Sequence, residues 1–166
     1  MEIERKFLVN DLNGLDLSKY DYKHIIQDYL YKDRFTAIRK RKVINPDGST
    51  SYTYTIKTNK VGISVNEMEQ AISEEDYICL NINPNFNQID KTRYFIPYIN
   101  DLIIELDVFH DIFEGIIFAE IEFESELQSN IVFPPWFGKD ISTLITNSDM
   151  STMNSNEIFK ILNKIR

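Results

Sequence analysis

The segment Glu2-Ile3-Glu4-Arg5-Lys6-Phe7-Leu8-Val9 opens the chain and decides its fold. Successive side chains of a strand point to opposite faces, so Glu2, Glu4 and Lys6 share one face while Ile3, Phe7 and Val9 share the other. Two carboxylates two residues apart can share one hard cation, and an ammonium beside them can hold a phosphate that the same cation bridges. A single such pattern more often describes the solvated face of an ordinary antiparallel strand. Its repetition along the chain gives it weight.

The same parity returns with Arg39 and Arg41, Thr55 and Lys57, Glu67 and Glu69, Lys91 and Arg93, Glu105 and Asp107, and Glu120 and Glu122. The alternate positions are mainly apolar or aromatic, as in Tyr52, Tyr54 and Ile56, or Ala119, Ile121 and Phe123. Each strand therefore has one charged and one apolar face, and the charged faces mix acids with bases. Eight strands are expected: Glu2–Val9, Lys23–Tyr31, Phe35–Val43, Ser51–Thr58, Ser64–Ile72, Gln88–Ile96, Leu102–Phe109 and Ile116–Phe123. Turn chemistry at Asn45-Pro46-Asp47-Gly48 and at Thr58-Asn59-Lys60-Val61-Gly62 favours hairpins and antiparallel pairing. Ser73 can cap a short helix with Asp76 at the capping-box position, and Asn156–Ile165 carries Ile158, Ile161, Leu162 and Ile165 at helical spacing.

Two architectures satisfy this alternation. A sandwich points the charged faces to water, whereas a closed barrel turns them inward and leaves the apolar faces for helices to cover. Periodicity leaves both open. Burying so many charges is prohibitive unless they are paired, wet, or met by a metal and an anion.

Composition narrows the class. The 166 residues, 43% hydrophobic, suffice for one globular domain over residues 1–166, and no repeat or linker divides them. A formal charge of −8 argues against a general nucleic-acid binder, whose affinity comes from clustered Lys and Arg. The lone Cys79 suits a reducing compartment and reads as a small buried hydrophobe. No long apolar run suggests a membrane span and a charged strand at residue 2 leaves no room for a signal peptide, so the expected location is cytoplasmic. His24 and His110 stand far from any Cys or His cluster in sequence, which argues against zinc.

These motifs, in this order, resemble the CYTH or triphosphate tunnel metalloenzyme superfamily. Glu2-Ile3-Glu4-Arg5-Lys6-Phe7 is similar to its ExExK signature. Gln27-Asp28-Tyr29-Leu30, Arg39-Lys40-Arg41, Thr55-Ile56-Lys57, Glu67-Met68-Glu69 and Lys91-Thr92-Arg93-Tyr94 follow in the family's order. Glu105-Leu106-Asp107-Val108-Phe109, Glu120-Ile121-Glu122-Phe123 and Pro134-Pro135-Trp136-Phe137-Gly138 resemble its short bacterial members. The resemblance implies a mainly β (α+β) fold, an eight-stranded antiparallel closed barrel forming a polar tunnel, with helices packed on the outside. It implies hydrolysis of a phosphoanhydride bond in a triphosphate, most simply inorganic tripolyphosphate, with magnesium or manganese.

Carried across by position, the resemblance assigns Lys6, Arg39, Arg41, Lys57, Lys91 and Arg93 to the phosphate chain and Glu2, Glu4, Glu120 and Glu122 to metal. Glu67, Glu69 and Asp107 are second-tier positions for metal or water, with cross-strand salt bridging as the alternative. Lys91 and Tyr29 match a lysine and tyrosine proposed as a catalytic pair in related tripolyphosphatases. The implied partner is a small-molecule triphosphate or polyphosphate, with no nucleic acid and no membrane, and a homodimer is one option. Two positions depart from the family's pattern: Val65 stands where an arginine is usual, and Ser151 and Thr152 replace the basic and aromatic members of a D-x-R-Y-x-N segment at Asp149–Asn154. Lys60, Lys139, Lys160 and Lys164 are candidates to compensate. Alternatives to a tripolyphosphatase are a class IV type adenylyl cyclase, a thiamine or nucleoside triphosphatase, and a non-catalytic polyphosphate or nucleotide sensor.

Overall fold

The structure, a computed structural model, describes residues 1–166. Alternating faces make strands here, and their closure decides which face is inside. The strands are β1 Glu2–Leu8, β2 Asp21–Lys32, β3 Thr36–Ile44, β4 Thr50–Val61, β5 Ser64–Ile72, β6 Ile89–Pro97, β7 Ile103–Phe109 and β8 Ile117–Phe123. They close into a barrel in the order β1-β5-β4-β3-β2-β6-β7-β8, every neighbouring pair antiparallel. The sandwich is thereby excluded. The charged parity faces inward.

Closure depends on β1. It pairs with β8 from Ile3↔Phe123 to Leu8↔Phe118, but with β5 only at Glu2↔Val65 and Ile3↔Ser64. Beyond Ile3 the segment after Pro134-Pro135 covers the open edge: Leu8 N–H donates to Lys139 O at 2.9 Å, Gly138 N–H to Leu8 O at 2.8 Å and Ile141 N–H to Lys6 O at 2.8 Å. A Cβ at Gly138 would lie 2.5 Å from Leu8 O, so only glycine permits this approach. Covering the edge satisfies backbone groups that would otherwise invite foreign strands.

Two β-bulges interrupt the alternation. In β2, Tyr29 pairs with Arg39 and Tyr31 with Ile38, leaving Leu30 as an extra residue. In β4, Thr58 pairs with Asn66 and Val61 with Ser64, so Asn59 and Lys60 both oppose Val65. The expected turn at Thr58–Gly62 is thus mostly strand, and the reversal is confined to Val61–Ser64 around Gly62 at φ 60°. Each inserted residue inverts which parity faces in.

Apolar residues form two cores. Outside the barrel, Ile96, Leu102, Ile104, Leu106, Ala119, Ile121 and Phe123 pack against Leu12, Leu15, Phe133, Trp136 and Phe137. Here irregular segments, rather than helices, cover the wall. Inside, the inward parity itself turns apolar toward one end: Leu8 follows Lys6, Phe118 precedes Glu120, Phe109 follows Asp107 and Ile89 precedes Lys91. These four join Phe113, Ile116, Ile158 and Leu162 in a plug that closes that end.

Three helices complete the chain: α1 Glu74–Cys79, α2 Asn147–Thr152 and α3 Ser155–Ile165. Ser73 caps α1, accepting from Asp76 N–H at 3.0 Å, and α3 docks Ile158 and Leu162 on the plug. The alternation did not anticipate α2. Its signal is local, a capping box between Thr146 and Asp149. Cys79 is exposed at the end of α1, contrary to its reading as a buried hydrophobe. No helix is long and apolar enough to cross a membrane.

Candidate active site

The barrel encloses a cavity of about 660 Å³. Eight cationic and nine acidic side chains line it, with few apolar ones. A wall so nearly balanced cannot by itself neutralise an incoming polyanion, which must bring cations with it. Of the residues expected from sequence, Glu2, Glu4, Lys6, Tyr29, Arg39, Arg41, Lys57, Glu67, Glu69, Arg93, Glu120 and Glu122 line the cavity. Lys91 and Asp107 do not. Both are fully buried, at the border between the charged interior and the apolar plug.

That border is a closed ion network. Lys91 Nζ lies 2.5 Å from Asp107 Oδ2, and Arg93 donates to both Asp107 oxygens at 2.6 and 2.7 Å. Arg93 also donates to Glu120 Oε2 at 2.9 Å and to Glu105. Burial opposes every charge here, yet Asp107, Glu105 and Glu120 together hold the Arg93 guanidinium well above its ordinary value. Arg93 and Lys91 likewise outweigh burial and keep Asp107 below the usual carboxylate range. The outcome differs for Lys91: burial wins, aided by Arg93, and its ammonium is pushed down to about 8. Asp107 therefore takes the salt-bridge alternative, locked between Lys91 and Arg93.

Arg39 and Arg41 are the opposite case. Neither has a carboxylate in hydrogen-bonding distance, Glu67 standing 4.0 Å from Arg39. The Nε atoms of both are buried without a partner, as is Gln27 Nε2. Arg41 donates only to Gln27 Oε1. Burial, then Arg39 and Arg93, push its guanidinium down to about 9. Buried donors of one sign without acceptors are a socket for an anion, and guanidinium geometry suits phosphate.

The carboxylates show a matching excess. Lys57 Nζ meets Glu2 Oε1 at 3.1 Å, while Glu2 Oε2 is buried with no donor. Glu4 sits across from Glu122 on β8, and burial followed by the Glu120 charge raises its carboxyl above the ordinary value. Lys6 spans to Glu120 at 3.1 Å and to Glu4 at 4.0 Å. Burial disfavours the Lys6 ammonium, but Glu120 and Glu4 outweigh it and raise it. No three His, Cys, Asp or Glu side chains converge as a ready-made metal cage. The set fits an ion such as magnesium, which takes one or two carboxylates and completes its shell with water and substrate phosphates. Glu2 and Glu4 carry the unmet negative charge, with Glu122 exposed beside them. Glu120 is already engaged by Lys6 and Arg93. Glu67 and Glu69 stay at the rim, Glu69 accepting from Thr55 Oγ1 at 3.2 Å.

Strict alternation missed several cavity residues. Lys32 and Lys60 line it because the two bulges turn them inward, and Arg34 reaches it from the β2–β3 turn. Lys32 Nζ pairs with Asp149 at 2.7 Å, joining β2 to α2. Val65 does line the cavity, so a cation is absent from that point of the wall. Ser151 is buried in α2 with its hydroxyl donating to Ser148 O at 2.6 Å, and it does not reach the cavity. Lys139, Lys160 and Lys164 do not reach it either. On the outer wall the fold brings together the two histidines that sequence separates: their rings lie 6.1 Å apart, His24 2.6 Å from Asp90 and His110 2.7 Å from Thr92.

A closed antiparallel barrel around a charge-lined interior defines a polar-tunnel protein. The family model of the CYTH domain matches residues 1–155, and the chain belongs to the CYTH family. Over 143 residues it is 30% identical to the inorganic triphosphatase of Nitrosomonas europaea, covering 85% of this chain and 89% of that one. The crystal structure of the inorganic triphosphatase NE1496 superposes with a TM-score of 0.63 at 26% identity, over 93% of this chain and 96% of that one. HpAC1 from Hippeastrum shares the fold at a TM-score of 0.60 and 15% identity, over 78% of this chain and 82% of that one.

Proposed function

We propose that this protein hydrolyses a phosphoanhydride bond of inorganic tripolyphosphate with magnesium or manganese. The observation that carries the reading is the pair Arg39 and Arg41, whose buried Nε atoms have no partner and which make no carboxylate hydrogen bond, in a cavity whose other arginine of the deep wall, Arg93, is held by three carboxylates. The relatives that are inorganic triphosphatases support the same chemistry.

In this reading Arg39 and Arg41 grip the phosphate chain, with Lys6 and Lys57 as point charges along it. Glu2 and Glu4, with Glu122 beside them, would hold a divalent ion. When bound, that ion neutralises phosphate oxygens and stabilises charge developing on the cleaved bond. A water attacks a terminal phosphorus, the P–O bond to the next phosphate breaks, and phosphate and pyrophosphate leave, the water's proton passing to solvent or product. Tyr29 lines the cavity and can orient that water. Lys91, sealed beneath the floor, acts as a positioning residue through Asp107 and Arg93 rather than by touching substrate.

Product analysis tests the proposal. Purified protein should release phosphate and pyrophosphate from tripolyphosphate, lose the activity in excess chelator and regain it with magnesium or manganese. Unchanged hydrolysis in chelator would sink the metal assignment.

One feature favours a nucleoside triphosphate as a second reading. Phe35 lines the cavity yet is 63% exposed, with the Arg34 guanidinium 5.5 Å from its ring centroid. Its backbone is pinned, Phe35 N–H donating to Asp33 Oδ1 at 2.8 Å and its carbonyl accepting from Asn59 N–H at 3.1 Å. An exposed ring on a pinned backbone can stack a base, an interaction worth about 1–3 kcal/mol. Competition between tripolyphosphate and ATP decides: a tenfold higher kcat/KM for ATP, abolished by Phe35→Ala, replaces the inorganic substrate with the nucleotide.

A further inference from the structure

Val65 is an apolar gap in a charged wall, and the residue facing it across the hairpin is not where alternation puts it. Asn59 and Lys60 together oppose Val65. Asn59 absorbs the extra residue at φ 54°, a left-handed conformation that asparagine tolerates better than most side chains. Counting by twos from Lys57 places Lys60 on the outer face; the bulge turns it inward, and it lines the cavity beside Val65.

Lys60 has no carboxylate partner. Its Nζ donates to one neutral acceptor, Ser142 O, at 2.9 Å. That carbonyl is held in place by a latch across the barrel seam. Ser142 donates from N–H and Oγ to Asp140 Oδ1 at 2.9 and 2.5 Å, Lys6 N–H donates to Ser142 Oγ at 2.9 Å, and Arg5 pairs with Asp140. An ammonium resting on a carbonyl keeps its full charge available to an anion. A phosphate oxygen is a far stronger acceptor than the amide it would leave.

We propose that Lys60 is a phosphate-binding residue of the tunnel, supplying from β4 the cation that Val65 does not supply from β5, in a position set by the Arg5–Asp140–Ser142 latch. This rests on the triphosphate reading. Lys60 is an exposed residue outside both apolar cores, so its substitution is expected to leave the fold intact.

The test measures tripolyphosphate binding calorimetrically on chelator-treated protein, and steady-state kinetics with metal. Lys60→Met should weaken binding about tenfold or more, in keeping with one charged contact, and raise KM while kcat stays within about twofold. Lys60→Arg should stay near wild type. Adding Val65→Arg to Lys60→Met should restore most of the affinity, since the two positions face one point of the wall. Binding by Lys60→Met within about twofold of wild type overturns the inference, as does a loss that Val65→Arg leaves unchanged. Wild-type protein that neither binds nor cleaves tripolyphosphate overturns the triphosphate reading itself, a separate failure.

Discussion

Arg93 on β6 and Arg41 on β3 sit on the two strands that flank β2, both lining the cavity, and their surroundings are opposite. Arg93 is gripped by Asp107, Glu105 and Glu120 and held well above its ordinary pKa. Arg41 meets only a neutral Gln27 oxygen and two other guanidiniums, and is pushed down to about 9. Identical side chains thus do different work. The first closes the barrel floor by cancelling charges that folding buried, while the second carries a debt of charge that only a ligand can settle.

The largest expected effect breaks that contrast if it fails. Arg93→Met leaves Asp107 short of its main partner and Glu120 with Lys6 alone, which should cost about 3–5 kcal/mol, or roughly 6–20 °C in Tm for a chain of this size. Arg41→Met should leave the ligand-free protein as stable as wild type or more so. The sign follows from linkage: a base whose folded pKa is depressed costs stability while charged, and at neutral pH that cost is fully present. Chemical denaturation of both variants decides, and equal losses would place Arg41 among the structural charges.

A ligand should show the same asymmetry. Tripolyphosphate at a hundred times its Kd should stabilise wild type by about 2.7 kcal/mol, or roughly 5–10 °C by thermal melt. Arg93 commits four of its five donors to carboxylates, whereas Arg41 commits one, to a neutral oxygen, so the shift should shrink strongly in Arg41→Met. An undiminished shift would locate the anion elsewhere.

Kinetics sharpen the picture further. Losing one charged phosphate contact is worth about 1.5–3 kcal/mol, so Arg39→Ala and Arg41→Ala should each raise KM about tenfold to a hundredfold, at least as much as they lower kcat. Lys91→Ala should act on kcat, because it disturbs Asp107 and Arg93 without touching substrate. Equal and small effects in all three would empty the tunnel of its role.

The smallest effect concerns the seam. Burial raises Asp140, but Ser142 and Arg5 outweigh it and hold the carboxyl below its ordinary value. A depressed acid stabilises above its unfolded pKa and loses that contribution as pH falls through the folded one. Asp140→Asn should therefore cost about 1 kcal/mol at pH 7, roughly 2–4 °C, and the gap to wild type should close in acid. A gap that persists in acid would mean the latch is steric and not charged.

Much of this was legible in sequence because strand alternation is a local rule. The period of two assigned charged and apolar faces to all eight strands, and the resemblance ordered Glu2 to Glu122 into one site. Boundaries slipped where the strands run on, as in β2 and β4. Alternation failed at Leu30 and at Asn59, since nothing in a list of residues marks where one strand carries an extra member against its partner. Those two insertions are why Lys32 and Lys60 were not placed in the site by parity.

Which charges would be satisfied was also out of reach. Lys91 and Arg93, two residues apart on one face, read alike, as do Arg39 and Arg41. By itself the sequence determined that each strand would have one charged and one apolar face, because side-chain direction follows from the backbone within a few residues. Only the tertiary structure decided that the charged faces turn inward, that Asp107 locks Lys91 and Arg93 away, and that Arg39 and Arg41 stay without a hydrogen-bonded carboxylate. The reason is that pairing depends on which strands become neighbours and in what register, and β7 meets β6 there while no carboxylate reaches Arg41.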